Sequence, residues 1–106
     1  MTPTERRANP RYPIAPGSFA YYALGSGVVQ NLSLGGVFIE DRDASFSAGT
    51  EIDLEVRWDN ESVVLRGAVR RVEPKVGFAV EFLELPSEVR HRLEKHFRAR
   101  FGPARG

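Results

Sequence analysis

The stretch EIDLEVRW at residues 51–58 decides the fold. Its apolar residues alternate strictly with charged ones. The apolar residues are Ile52, Leu54, Val56 and Trp58. Successive side chains on a β-strand point to opposite faces, so this pattern predicts a strand with one face in the core and the other in water. Residues 59–61 then predict a hairpin turn into a second strand over residues 62–72.

Shorter strands are predicted on both sides of this hairpin. These strands are predicted where segments rich in aromatic and β-branched residues are bounded by turn residues. The segments cover residues 18–24, 28–31, 37–40 and 77–83. Gly25-Ser26-Gly27 predicts a tight turn between the first two. About six short strands with regular turns predict a closed barrel, because closure removes the exposed edges of a sheet. The predicted fold class is therefore mainly all-β, a six-stranded antiparallel β-barrel.

A C-terminal helix is predicted within residues 85–102. Pro86 and Ser87 suit the start of a helix, and Gly102-Pro103 ends it. Between them an apolar stripe steps by four residues; it consists of Val89, Leu93, Phe97 and Phe101. The predicted organisation is a barrel over residues 18–84 followed by this helix.

The first seventeen residues differ from the rest of the chain. Residues 1–17 contain four prolines and end in Gly17. Proline fixes its own backbone and disfavours helix in the residue before it, so this segment predicts an extended, flexible N-terminal arm. The arm also carries three arginines, Arg6, Arg7 and Arg11.

Composition excludes several classes of function. The chain has 106 residues, no cysteine and a formal net charge of +1. One small domain is expected, without disulfides or thiolate metal sites, and without the global positive field of a general DNA- or RNA-binding protein. No apolar run approaches spanning length, so membrane insertion is not expected and the cytoplasm is the default location.

No constellation of an enzyme or a metal site is present in the sequence. His91 and His96 are five residues apart on the predicted helix and therefore diverge in direction. Residues 40–43 contain three acidic side chains but no partner base, and are interpreted as a charged turn. No nucleophile has an activating base beside it. The chain is expected to be neither an enzyme nor the holder of a cofactor or metal.

Two polar elements instead predict a binding site for a flat, phosphorylated ligand. The arginines of the arm present planar forks that match phosphate oxygens and the edge of guanine. The second element follows a strand and offers an amide, a hydroxyl and bare backbone; it consists of Asn31, Ser33, Gly35 and Gly36. Each element alone has an ordinary interpretation, as a solvated basic tail or as turn-forming residues.

In combination the two elements resemble a known family. Arg7-x-x-x-Arg11 followed by Asn31-x-Ser33-x-x-Gly36 resembles the signature of PilZ domains, which bind the bacterial second messenger cyclic di-GMP. Residues 76–82 resemble that family's last barrel strand, and the helix after Pro86 resembles its closing helix. The resemblance implies a single PilZ domain over residues 5–102.

The resemblance also implies the site. The implied ligand-binding residues are Arg6, Arg7, Arg11, Asn31, Ser33, Gly35 and Gly36. In the family a residue of the strand over 62–72 often stacks on an exposed guanine; here Arg71 is the first choice and Arg70 the second, although both arginines could simply cover the outside of the strand. Asn31 stands where the family often has Asp, which is expected to adjust affinity.

The mode of action is likewise implied by the resemblance. An arginine directly before the first motif arginine, here Arg6, accompanies binding of an intercalated pair of ligands, so two cyclic di-GMP molecules are expected for each chain. The arm is expected to become ordered on binding and to signal to a protein partner or an adjoining domain. Two alternatives are a PilZ-type adaptor that binds only protein, and a small barrel that binds single-stranded RNA.

Overall fold

The computed structural model describes residues 12–13, 18–23, 25–58 and 60–101, without the side chains of the first pair or of residues 100–101. It contains seven strands and one helix within these ranges. They are β1 (Tyr12–Pro13), β2 (Phe19–Tyr22), β3 (Gly25–Leu32), β4 (Gly36–Glu40), β5 (Glu51–Trp58), β6 (Glu61–Glu73), β7 (Gly77–Glu84) and α1 (Ser87–Phe101).

Six of these strands close into an antiparallel barrel. The order around it is β3-β2-β5-β6-β7-β4, and the pairing of β4 with β3 completes the circle. The two-residue strand β1 adds to β3 beyond the end of β2. The predicted six-stranded antiparallel barrel with a C-terminal helix is therefore confirmed.

The alternation in β5 builds one wall of the core. Leu54, Val56 and Trp58 are buried, Ile52 is partly buried and packs against the core, and the charged residues between them lie toward the outside. Across the hairpin, Val56 lies opposite Val63. Packing of such apolar faces is the main source of barrel stability.

The two ends of the barrel are covered by different elements. Helix α1 packs Leu93 and Phe97 into the core, and Arg92 Nη1 donates a hydrogen bond to the Ser62 carbonyl, 2.9 Å away, at the start of β6. The predicted apolar stripe is thus the buried face of α1, apart from Phe101, whose side chain lies outside the described residues. The Pro86 carbonyl accepts the first helical bond from Arg90 N (2.9 Å).

Aromatic rings fill the opposite end. Tyr22, Phe46 and Phe78 contact one another with ring centroids 5.0–5.7 Å apart. The Tyr22 hydroxyl donates to Asp41 Oδ2 (2.5 Å). Burial, then the hydrogen bond to this carboxylate, raises the pKa of Tyr22 well above its ordinary value.

The predicted turn at Gly25-Ser26-Gly27 is wrong, because all three residues belong to strand β3. The chain turns before Gly25, at a point that includes Ala23. Gly27 is needed for close strand packing, since a Cβ there would lie 2.5 Å from the Glu40 carbonyl oxygen. Two glycines close together in sequence are compatible with a turn and with a strand that lies very near its neighbour. Here the close approach of β3 to β4 accounts for Gly27.

Candidate functional site

The turn between β3 and β4 is built around one hydroxyl. Ser33 is buried, and its Oγ accepts hydrogen bonds from the backbone N–H of Gly35 (3.0 Å) and of Gly36 (3.1 Å). Its own backbone N–H donates to the Gly36 carbonyl (2.9 Å). A serine that bonds the backbone two and three residues ahead fixes a tight turn. The described contacts of Ser33 therefore hold the turn together.

Gly36 lets this turn lie directly against the barrel. A Cβ at this position would lie 2.3 Å from the Val80 carbonyl oxygen in β7, closer than any side chain tolerates. The Gly35 carbonyl accepts a hydrogen bond from Phe82 N (2.9 Å) in the same strand. The two glycines thus fasten the turn to β7, which fixes the position of Asn31 just before it.

A row of four residues crosses the outside of the barrel from Asn31. Asn31 in β3 lies opposite Phe38 in β4, Phe38 lies opposite Ala79 in β7, and Ala79 lies opposite Arg71 in β6. Residues directly opposite each other in antiparallel strands share a face. We call this row of Asn31, Phe38, Ala79 and Arg71 the Asn31 face. Arg71 is exposed and the other three are partly exposed.

Two β-bulges shape this face. The register shifts between Val29 and Asn31 and again between Val69 and Arg71, so Gln30 and Arg70 are extra residues in their strands. A bulge interrupts the alternation of sides. As a result Arg70 and Arg71 are both exposed although they are neighbours.

Each of these arginines has a carboxylate partner. Arg70 Nε lies 2.5 Å from Glu81 Oε1, and Arg71 Nη2 lies 3.0 Å from Glu73 Oε2. All four side chains are well exposed, and exposed ion pairs contribute little to stability. A phosphorylated ligand can therefore displace either carboxylate at low cost.

The described part of the N-terminal segment joins the barrel beside Asn31. In β1, Tyr12 lies opposite Leu32 and Pro13 lies opposite Asn31. The remaining predicted binding residues, Arg6, Arg7 and Arg11, lie outside the described residues. The described site residues fall into two groups. Ser33, Gly35 and Gly36 form the turn, whereas Asn31 and Arg71 lie at the two ends of the Asn31 face.

Sequence reasoning missed the centre of this face. Phe38 lies between Val37 and Ile39, which are both buried, so it points outward. The signal was present in the alternation of β4, where an aromatic residue occupies a position that faces water. Ala79 carried no signal of its own, because its place depends on the register between β4 and β7.

The described residues contain neither a metal-binding cluster nor a membrane-spanning helix. No group of three or more His, Cys, Asp or Glu side chains among them is arranged to hold a metal ion. Within the same ranges, α1 is too short and too polar to cross a membrane.

The described residues thus form a small closed barrel with one helix and a polar turn beside a partly apolar outer face. The PilZ domain family matches residues 5–99, which is most of the chain. The chain belongs to the PilZ domain family, whose members are generally receptor domains for cyclic di-GMP and are binding or adaptor domains, not enzymes.

Similarity to a solved structure supports the fold. The crystal structure of an uncharacterized protein from Legionella is 17% identical, with a TM-score of 0.65 over 85% of this chain and 92% of that chain. At this identity the likeness concerns the fold alone. No curated protein matches the chain.

Proposed function

We propose that this PilZ domain is a receptor for cyclic di-GMP, which lies on the Asn31 face and is closed over by the arginines of the N-terminal segment. Asn31 bonds a guanine edge or the ribose-phosphate ring beside it. Arg7 and Arg11 bond phosphates and guanine edges from the other side. Ser33, Gly35 and Gly36 hold the turn that presents Asn31.

The position of β1 is the observation that carries this proposal. Its pairing with Asn31 and Leu32 brings the N-terminal segment to the same end of β3 as the turn. Arg11 is bonded directly to Tyr12, and Arg7 is five residues from Tyr12, a reach of at most about 17 Å. Strand β1 lies on the side of β3 away from β4, so Tyr12 is three strand spacings, about 14 Å, from Ala79 and four spacings, about 19 Å, from Arg71. Arg7 can therefore reach the centre of the Asn31 face, whereas Arg11 stays at its Asn31 end.

The centre of the face suits a flat base. Phe38 and Ala79 offer partly exposed apolar surface between the amide of Asn31 and the guanidinium of Arg71. Aromatic rings and guanidinium planes both stack on bases, each stack being worth about 1–3 kcal/mol. Arg71 stacks on an exposed guanine, and Arg70, one residue away, is the alternative.

The energetics limit how much of the segment becomes ordered on binding. A charge-assisted hydrogen bond contributes about 1.5–3 kcal/mol, and fixing one backbone residue costs about 1–2 kcal/mol. Each arginine therefore offsets one or two newly ordered residues. Because β1 already pairs with β3, only the residues before Tyr12 need to be ordered, and base stacking supplies the remainder. The ordered segment is then the signal that a partner protein or adjoining domain detects.

Arg6 extends the proposal to stoichiometry. A third guanidinium beside Arg7 adds donors for a second set of phosphates and guanine edges. We expect two stacked cyclic di-GMP molecules for each chain.

Titration calorimetry of the unmodified chain with cyclic di-GMP tests both statements. The expected result is saturable heat that ends at two ligands per chain. Saturation at one ligand per chain would refute the stacked pair of ligands but not the proposal that the chain is a receptor. Absence of heat would refute the receptor and favour the alternative, a PilZ-type adaptor that binds only protein.

A further inference from the structure

A groove runs between helix α1 and the hairpin that joins β5 to β6. Its volume is about 340 Å³, which is within the range of small binding pockets. Helix and hairpin contribute its lining, which comprises Trp58, Glu61, His91, Arg92, Lys95, His96 and Ala99. None of these residues belongs to the Asn31 face.

The helix wall of the groove is cationic. Between residues 87 and 101 the sequence has five cationic side chains against two carboxylates. Arg92 and Lys95 are three residues apart and therefore share a flank of the helix. The bond from Arg92 Nη1 to the Ser62 carbonyl (2.9 Å) holds this guanidinium at the groove and leaves its other N–H groups available to a ligand.

The two flanks of α1 differ in how their charges are neutralised. Away from the groove, Arg90 Nε lies 3.3 Å from Glu94 Oε2, so this pair cancels its own charge. On the groove side, Lys95 forms no ion pair with any described carboxylate. Glu61 is the single acidic residue among the described residues of the lining. With Arg92 and Lys95 against Glu61, these described residues carry a net positive charge.

An apolar surface lies beneath these charges. Trp58 is buried, and its ring lies 5.0 Å from that of His96, centroid to centroid. The large apolar side chains that are exposed elsewhere, such as Val64 and Leu83, do not line the groove. A lipid surface needs an apolar rim to insert, so this groove does not suit a membrane.

We propose that the groove docks a short acidic segment of a partner protein. Two carboxylate side chains of the segment pair with Arg92 and Lys95, and Glu61 accepts a backbone N–H of the same segment. A nucleic-acid backbone would need a longer row of cations. Arg90, the next arginine around the helix, does not extend the row because it is paired with Glu94. This inference does not rest on cyclic di-GMP binding, because it uses different residues.

Tryptophan fluorescence can report binding in the groove, because Trp58 is the only tryptophan in the chain and lines the groove. A hexaglutamate peptide with blocked ends is titrated into the whole chain at low salt, and Trp58 fluorescence is followed. The expected result is a saturable change that disappears with a hexaglutamine peptide and weakens at high salt. Absence of a saturable change with hexaglutamate would overturn the proposal.

Matched variants of α1 locate the binding. Lys95→Gln is expected to weaken hexaglutamate binding about tenfold, and Arg92→Gln at least as much. Arg98→Gln removes the same charge from an exposed position outside the groove lining, and binding is expected to stay within about twofold. Equal losses in Lys95→Gln and Arg98→Gln would overturn the proposal, because they would show an unlocalised charge effect. Lys95→Gln does not touch the Ser62 bond, so it remains informative if Arg92→Gln unfolds.

Two further titrations separate the partner classes. Oligothymidylate or vesicles with anionic lipid that bind more tightly than hexaglutamate would overturn the assignment to an acidic protein segment. Cyclic di-GMP affinity is expected to be the same in Lys95→Gln as in the unmodified chain, so failure of either proposal can be recognised without the other.

Discussion

Two walls of this barrel are both built from antiparallel strands but differ in surface chemistry. The outside of β5, with Arg66 of β6 opposite it, forms what we call the ion-pair wall; its charged residues are Glu51, Asp53, Glu55, Arg57 and Arg66. Arg66 bonds Asp53 (2.9 Å) and Glu51 (3.2 Å), and Arg57 bonds Glu55 (3.0 Å) while lying 4.8 Å from the Tyr21 ring centroid. These hydrogen bonds raise the pKa of Arg66 and lower that of Glu55.

The Asn31 face is built differently. Apolar Phe38 and Ala79 occupy its centre, and its one charged residue, Arg71, has a partner at the margin in Glu73. Opposite charges across neighbouring strands satisfy one another and leave little for a ligand to bond. An apolar centre keeps the polar groups at its two edges apart, so they do not neutralise one another across the face. The comparison predicts that cyclic di-GMP binding is confined to the Asn31 face, and most of the experiments below compare this face with a control position elsewhere on the barrel.

The largest effect is expected from removing the support of the Asn31 face. Gly36→Ala would bring a Cβ within 2.3 Å of the Val80 carbonyl oxygen, and overpacking of this kind costs about 3 kcal/mol of unfolding free energy. Thermal unfolding should show a melting temperature lower by roughly 10 °C or more. Gly25→Ala is the control, because its new Cβ meets nothing nearer than 3.7 Å. Equal destabilisation by the two variants would contradict the role given to Gly36.

The next effect concerns the apolar centre. Phe38→Ala should weaken cyclic di-GMP binding about tenfold, because it removes a surface for base stacking worth about 1–3 kcal/mol. Tyr21→Ala removes an exposed aromatic ring from beside the ion-pair wall and should leave the affinity unchanged. Calorimetry of both variants measures the difference. A larger loss in Tyr21→Ala would place the ligand on the other wall.

A smaller effect is expected from the arginines of β6. Arg71→Ala should weaken binding about fivefold, through loss of one guanidinium stack. Arg66→Ala, five residues earlier in the same strand, should alter neither ligand affinity nor melting temperature appreciably, because exposed ion pairs stabilise little. If Arg70→Ala has the effect expected for Arg71→Ala, the stacking role belongs to Arg70.

Local patterns predicted most of the fold. The alternation of residues 51–58 and the part of the α1 stripe formed by Val89, Leu93 and Phe97 both define faces that pack into the core. These features depend on periodicity within one element, which a single sequence records. The barrel followed from the number of strands and the need to remove edges.

Pairing between distant strands accounts for what sequence could not predict. The bulge at Arg70 depends on how β6 meets β7, and it makes the choice between Arg70 and Arg71 impossible from alternation alone. Phe38 and Ala79 become neighbours only through the register of β4 with β7. Strand β1 was missed because Pro13 and its neighbours predict an irregular arm, whereas proline is compatible with a short edge pairing.

The smallest effect is expected at the position where the family often has aspartate. Asn31→Asp should tighten cyclic di-GMP binding about threefold at low salt, because a carboxylate pairs more strongly with arginine than an amide does. The gain should vanish at high salt, where charges are screened within about 3 Å at 1 M. Weaker binding at low salt would show instead that the amide contacts a ligand phosphate, which a carboxylate repels.

The central claim is that the arginines before Tyr12 and the Asn31 face hold the ligand together. Calorimetry with cyclic di-GMP on Arg7→Ala tests it most directly, with Arg57→Ala on the ion-pair wall as the control of equal charge. The account predicts that Arg7→Ala loses affinity by about tenfold or more, as expected for a charge-assisted bond, while Arg57→Ala binds like the unmodified chain. Unchanged affinity in Arg7→Ala would contradict it.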